Sequence, residues 1–292
     1  MTPRPIATHT VRGIVCMMAS GVLVSVNDAV IKWLTADYPT GQIVTIRGLF
    51  ILVSALLFAW RYGGVSALRV RDWRGQILRG LLSATSAFLF VTSVSVLPLA
   101  DTVALTFAGP LFVTALATPM LGEQVGWRRW AAVVVGFAGV VLMVGPTGDA
   151  VRWVALMPLG AALSGAFRDL ITRRITATES STATLCVTTL VIVASGLMAL
   201  PFGWQPPRAE DVGLLALCGL LLGGSQYLMI EALRWAEATV VVPFKYSQLL
   251  WALMFGFLIW SQVPNASVAA GATLVIGSGL YIWNRESRLA KT

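Results

Sequence analysis

An all-α integral membrane protein of ten transmembrane helices, built as an inverted repeat of five plus five, is the fold class this sequence predicts. Three observations predict it. Ten long apolar runs fill the chain from about residue 11 to residue 284. Arginine and lysine gather at every second gap between those runs. Short matches recur in the same order along the two halves. A bilayer core takes roughly 20 apolar residues to cross as a helix, and soluble cores do not repeat such runs. The chain is 57% hydrophobic and 12% charged, where a soluble domain carries about 25% charged residues.

The first run, 11–34, follows Arg4 and Arg12. It is too long for a signal-peptide core and holds Asn27, Asp28 and Lys32, so it is read as an uncleaved helix. Run 41–60 contains Arg47, and 75–96 carries Ser83, Ser86, Phe88 and Thr92. Run 100–120 opens on Ala100-Asp101 and holds Thr106, Phe107 and, at mid-span, Pro110. Run 127–145 is free of acids, with Gly136 and Gly139. Run 152–172 includes Pro158 and ends on Arg168-Asp169, while 182–203 has no charge at all. Run 212–234 offers Gly223 and Gly224 followed by Ser225, Gln226, Tyr227 and Glu231. Run 239–260 has Pro243, Lys245, Tyr246, Gln248 and Trp251, and 266–284 returns to a glycine-rich, acid-free pattern.

The net charge of +8 is spread over short loops, which argues against a nucleic-acid face and for an orientation signal. Arg61, Arg69, Arg71 and Arg74 fill the second gap, Arg128 and Arg129 the fourth, Arg173 and Arg174 the sixth. The positive-inside rule then puts both termini in the cytoplasm of a bacterial-type inner membrane. Cys16, Cys186 and Cys218 lack metal-like spacing, and the single histidine, His9, lies in the N-terminal tail. No metal, cofactor or histidine-based catalytic site is expected.

Two halves, 1–146 and 147–292, are read from the repeat. NDAVIKWL in the first run pairs with RDLITRRI in the sixth, Ala100-Asp101 with Ala236-Glu237, and GEQVGWRRW with WSQVPNASV. Five is odd, so the second copy enters the membrane from the other side, the arrangement of secondary transporters.

Residues 97–146, LPLADTVALTFAGPLFVTALATPMLGEQVGWRRWAAVVVGFAGVVLMVGP, carry a resemblance. Their alanine-acid start, Pro110, the Gly122-Glu123 pair and the glycines of the next run fall in one order. With NDAVIKWL and Arg47, the chain resembles the ten-helix branch of the drug/metabolite transporter (DMT) superfamily, the EamA-type permeases. The second half departs at Ser261-Gln262, which replaces Gly-Glu, and at Pro243, which is out of register with Pro110. The resemblance implies export or exchange of small metabolites. Bacterial amino-acid exporters, including aromatic ones, are the expected subgroup, with vitamin, nucleoside, S-adenosylmethionine or drug carriers as the alternative. A passive channel is a further alternative. An intramembrane enzyme would need clustered histidines or acid pairs, and no Walker motif is present.

An ionisable residue at membrane depth should face protein or a water-filled cavity. Asp28 lies about two turns before the first gap and Arg47 about two turns after it, so these two are expected to pair, with Lys32 joining them or snorkelling outward. Glu231 and Lys245 repeat that logic across the eighth gap. Each pair is either a packing lock or a gate, and Glu231 with Lys245 is alternatively a substrate handle. Ser83, Phe88, Phe107, Gln226, Tyr227, Tyr246, Gln248 and Trp251 are the further candidates for a substrate cavity. Pro110 and Pro243 are expected pivots. Alternating access is the expected mechanism: runs 3, 4, 8 and 9 enclose the site, 1, 2, 6 and 7 move, and 5 and 10 act as scaffold. The expected partners are the bilayer and a small substrate, for a monomer or alternatively a dimer.

Overall fold

The computed structural model describes the backbone of residues 6–62, 68–121, 126–144, 149–175, 179–201, 203–235 and 242–289. The described residues form an all-α bundle. Its helices are α1 (Ile6–Leu34), α2 (Thr40–Tyr62), α3 (Trp73–Val96), α4 (Leu99–Thr106), α5 (Gly109–Leu121) and α6 (Trp127–Val144). They continue with α7 (Asp149–Ile175), α8 (Ser181–Leu197), α9 (Ala209–Trp235), a 3-10 turn (Val242–Tyr246), α10 (Ser247–Trp260) and α11 (Ala266–Leu289). Among the described residues each apolar run falls on a helix, on a helix pair or, for 239–260, on a 3-10 turn followed by a helix.

Among the described residues six stretches are long and apolar enough to cross a membrane: Val11–Leu34, Trp73–Val96, Leu99–Leu116, Trp127–Val144, Trp153–Thr172 and Ala209–Met229. Thr40–Val53, Thr182–Leu197 and Ala266–Ile282 are shorter apolar helices. Val53, Val134, Val141, Leu220, Phe257 and Leu258 stand exposed on the bundle's outside, as lipid-facing side chains do. Trp33, Trp73, Trp127 and Trp153 are exposed near helix ends, where an interfacial belt places them.

Local chemistry explains several element boundaries. The Asp72 carboxylate accepts from the Gly75 N–H at 3.0 Å and starts α3. Ser180 Oγ accepts from Ala183 N–H at 3.0 Å and starts α8. Pro110, expected to bend a continuous helix, stands instead in the first turn of a new one. Having no N–H, it offers nothing to the Thr106 carbonyl, so α4 ends there and the chain restarts at Gly109. The counterpart run divides likewise, into the 3-10 turn containing Pro243 and then α10.

Helix α10 ends on Ser261 at φ 54°, the left-handed conformation. Ser261 N–H donates to the Phe257 carbonyl at 2.9 Å and Gln262 N–H to Gly256 at 3.0 Å. The 6→1 bond is that of a Schellman cap, where glycine is the usual residue. The sequence departure at Ser261 therefore falls on a position that strains any residue other than glycine.

The most extensive packing joins elements before residue 146 to elements after it. Helix α1 packs on α9, and α3 on α7; α2 also packs on α9, and α3 on α8. Helix α1 meets the 3-10 turn and α10, while α7 meets α4 and α5. Helix α2 packs on α8, α6 on α11, and α4 crosses α10. Where α6 and α11 cross, a Cβ on Gly139 would stand 2.7 Å from the Gly271 carbonyl, and one on Gly271 2.4 Å from that of Gly139. Only glycine permits this approach.

Candidate functional site

The connections divide between two ends of the bundle. One end gathers the loops after α1, α3, α8 and α10. Lys32 Nζ donates to the carbonyls of Leu97 at 2.6 Å and Val94 at 3.0 Å, and lies 5.6 Å from the centre of the Trp260 ring. It snorkels to the C-terminus of α3, within electrostatic reach of Asp101, and does not join Asp28. Gln262 Oε1 accepts from the Leu99 N–H at 3.2 Å and caps α4. The Tyr38 hydroxyl donates to the buried Asp211 at 2.5 Å and accepts from Arg208 N–H at 3.0 Å. The Asp211 hydrogen bond raises the Tyr38 pKa. Gln42 and Gln205 bond twice, at 2.6 and 3.1 Å. These contacts tie α1, α2, α3, α4, α9 and α10 together at this end.

The opposite end holds the loops after α2 and α7 and the start of α1. Arg12 lies over the Trp235 ring at 4.5 Å. Glu179 accepts from the backbone N–H groups of Arg71 and Asp72, each at 2.7 Å. Burial pushes the Glu179 carboxyl up, but these two donors and Gln76 outweigh it and hold it below its ordinary value. Arg79, on α3, donates to Thr172 at 2.7 Å and to Thr188, bracing α7 and α8. Arg168 and Asp169 form an ion pair at 2.9 Å. Lys245 on the 3-10 turn is exposed, and both Arg168 and Asp169 are within its electrostatic reach. Arg79, Arg168 and Lys245 gather there around one carboxylate.

Between the two ends lies a buried polar group. Asp28 accepts from Asn27 Nδ2 at 3.0 Å and from Gln248 Nε2 at 3.4 Å. The Gln248 backbone carbonyl in turn accepts from Ser25 Oγ at 3.2 Å. The expected direct Asp28–Arg47 pair is not formed. The Arg47 backbone carbonyl packs against Gly219 of α9, and its buried guanidinium is within electrostatic reach of both Cys218 and Asp28. Arg47 Nε, Asn27 Oδ1 and Trp251 Nε1 are buried with no hydrogen-bond partner among the described residues. Phe107, at the α4–α5 break, packs on Tyr246 with ring centroids 5.1 Å apart. The Tyr246 hydroxyl occupies the space a side chain at Gly279 would need.

The sequence candidates thus separate. Asp28 and Gln248 come together through α1 and α10, Phe107 and Tyr246 through the end of α4 and the 3-10 turn, and Trp251 lies one turn beyond Gln248. Ser83 is buried and spends its hydroxyl on the Arg79 carbonyl at 2.8 Å, and half-buried Phe88 points at Gly41 of α2. Neither joins the group around Asp28. Gln226 and Tyr227 are exposed on α9. The side chains of Glu231 and Pro243 lie outside the described residues, as do Gly122 and Glu123, so the Glu231–Lys245 pairing has no geometry here. Arg79 was missed by the sequence reading, although an arginine about one turn inside an apolar run meets the criterion that selected Asp28. Among the described residues no His/Cys/Asp/Glu cluster could hold a metal ion.

The EamA-like transporter family matches the chain twice, over residues 11–145 and 152–284. A riboflavin transporter of Rhizobium johnstonii is 30% identical over 285 residues, covering 96% of this chain and 94% of that protein. An S-adenosylmethionine uptake transporter of Rickettsia prowazekii is 27% identical, covering 94% of each chain. One solved crystal structure superposes with a TM-score of 0.66 at 16% identity, covering 97% of this chain and 99% of its own, which shows a shared fold.

Proposed function

Because the chain belongs to the EamA-like transporter family, and is a membrane transporter of small metabolites and no enzyme, we propose that it carries a metabolite bearing a flat nitrogen heterocycle. Riboflavin and S-adenosylmethionine, the cargoes of the two relatives, share that group. The observation that carries this reading is the buried polar group of Asp28 and Gln248, with the Phe107–Tyr246 aromatic pair two residues along the chain from Gln248. Aromatic faces stack on a heterocycle, and the amide, the carboxylate and the unpartnered donors of Arg47 and Trp251 match its ring nitrogens and carbonyls. The amino-acid cargo expected from the sequence has less support than this alternative. Uptake is the proposed direction, in keeping with the S-adenosylmethionine relative.

The mechanism proposed is alternating access between two inverted halves, 1–146 and 147–292, with both termini in the cytoplasm. The duplicated family match and the mirrored pairings, α1 on α9 with α3 on α7, support it. In that orientation the knit end is the outer gate, and the end with Lys245 opens to the cytoplasm. Arg79, Arg168 and Lys245 then meet the cargo's oxygen-rich part, hydroxyls or a carboxylate, at the inner mouth, while Asp28 and Gln248 hold its ring.

The test is counterflow in proteoliposomes with labelled riboflavin, S-adenosylmethionine and tryptophan. A heterocyclic cargo should accumulate transiently against unlabelled cargo inside, and Gln248→Leu should abolish that overshoot. Overshoot with tryptophan alone would overturn the cargo class. Equilibration with no overshoot for any of them would mean a pore.

A further inference from the structure

We propose that the groove between α6 and α11 is a binding site for an anionic phospholipid, whose headgroup sits at Arg128 and whose acyl chain lies along the helices. This cavity of about 420 Å³ is lined at one end by Trp127, Arg128 and Tyr281, and further in by Val135, Leu274 and Gly277. It shares no residue with the group around Asp28.

The groove has a sequence cause. Gly139 and Gly271 bring the two helices into backbone contact at mid-span, and toward Trp127 and Tyr281 a space opens between them. A Cβ placed on Gly277 would meet nothing within 4 Å, so the missing side chain leaves the floor empty. Val135 and Leu274 are exposed along it. At membrane depth an apolar groove of this kind is wetted by acyl chains, not water.

Its mouth is cationic and aromatic. The Arg128 guanidinium lies 5.4 Å from the centre of the Trp127 ring, and Trp127 and Tyr281 are exposed, as interfacial anchors are. Among the described residues no carboxylate lines the groove, so a phosphate is the counter-charge that fits Arg128 there. Basic pockets between membrane helices recognise anionic headgroups in this way. The same absence disfavours a second copy of the chain as the occupant, since two cationic mouths would then approach each other without a counter-charge.

Native mass spectrometry of the full chain, released from detergent after equilibration with phosphatidylglycerol or phosphatidylcholine, tests this. The parent protein should retain phosphatidylglycerol preferentially. Arg128→Gln should lower that preference about fivefold, the effect of one interfacial cation, and Gly277→Leu should remove bound lipid of either kind. Melting curves matching the parent's establish that both variants fold; if Gly277→Leu does not, Gly277→Val replaces it. Equal retention by all three proteins would overturn the proposal. So would a dimer that Gly277→Leu dissociates while lipid retention stays unchanged, which would make the groove an interface between copies.

Discussion

Replacing Lys32 by methionine tests whether the knit end is a gate or a fixed seal. The ammonium donates to Leu97 and Val94 at 2.6 and 3.0 Å and faces the Trp260 ring. Hydrogen bonds from a charged donor contribute about 1.5–3 kcal/mol each, and exposure of a half-buried side chain discounts that through solvent screening. A net loss of about 2 kcal/mol is reasonable. It falls on the closed form alone, because in an opened end the ammonium would be hydrated. At about 1.4 kcal/mol per tenfold, the balance should move roughly thirtyfold toward the form open at this end. The readout is a cysteine at Thr106, half-buried at the end of α4, in a chain whose Cys16, Cys186 and Cys218 are replaced. A membrane-impermeant maleimide added from that side should label Lys32→Met vesicles much faster than the parent. Unchanged labelling with a lowered melting temperature would refute the reasoning and leave Lys32 as a static helix cap.

Three other outcomes follow from particular contacts. Ser261→Gly should raise the melting temperature in detergent, by about 1 kcal/mol of relieved left-handed strain; no change would mean that the cap relaxes. Gly271→Val should destabilise by at least about 1–3 kcal/mol, because its Cβ meets the Gly139 backbone at 2.4 Å, while Gly277→Ala in the same helix melts like the parent. The Glu179 clasp contributes stability above its unfolded value near 4.5 and loses it as pH falls through the lower folded value. Glu179→Gln should therefore melt below the parent at pH 7 and converge with it in acid.

Composition and spacing make the bundle legible because the bilayer imposes one rule on every run: satisfy the backbone within a helix. The site was harder to read. Asp28 and Gln248 stood out as polar residues at depth, yet their contact spans residues 28 to 248 and depends on α1 packing against α10. Asp28 with Arg47 is the local choice, and it failed because Asp28 accepts from Asn27 and Gln248 instead. Ser83 satisfies itself within α3, which no pattern of spacing reveals.

By itself the sequence determined the helices, their order and the alternate placement of the loops, since hydropathy and loop charge act locally. It also determined where glycine and proline interrupt them. Only the tertiary structure decided that Pro110 ends one helix and starts another, that Lys32 leaves Asp28 for the α3 carbonyls, and that Arg79 turns toward Lys245's end of the bundle. Those outcomes depend on which helix face meets which neighbour, and that is settled by packing between the halves, through contacts more than a hundred residues apart.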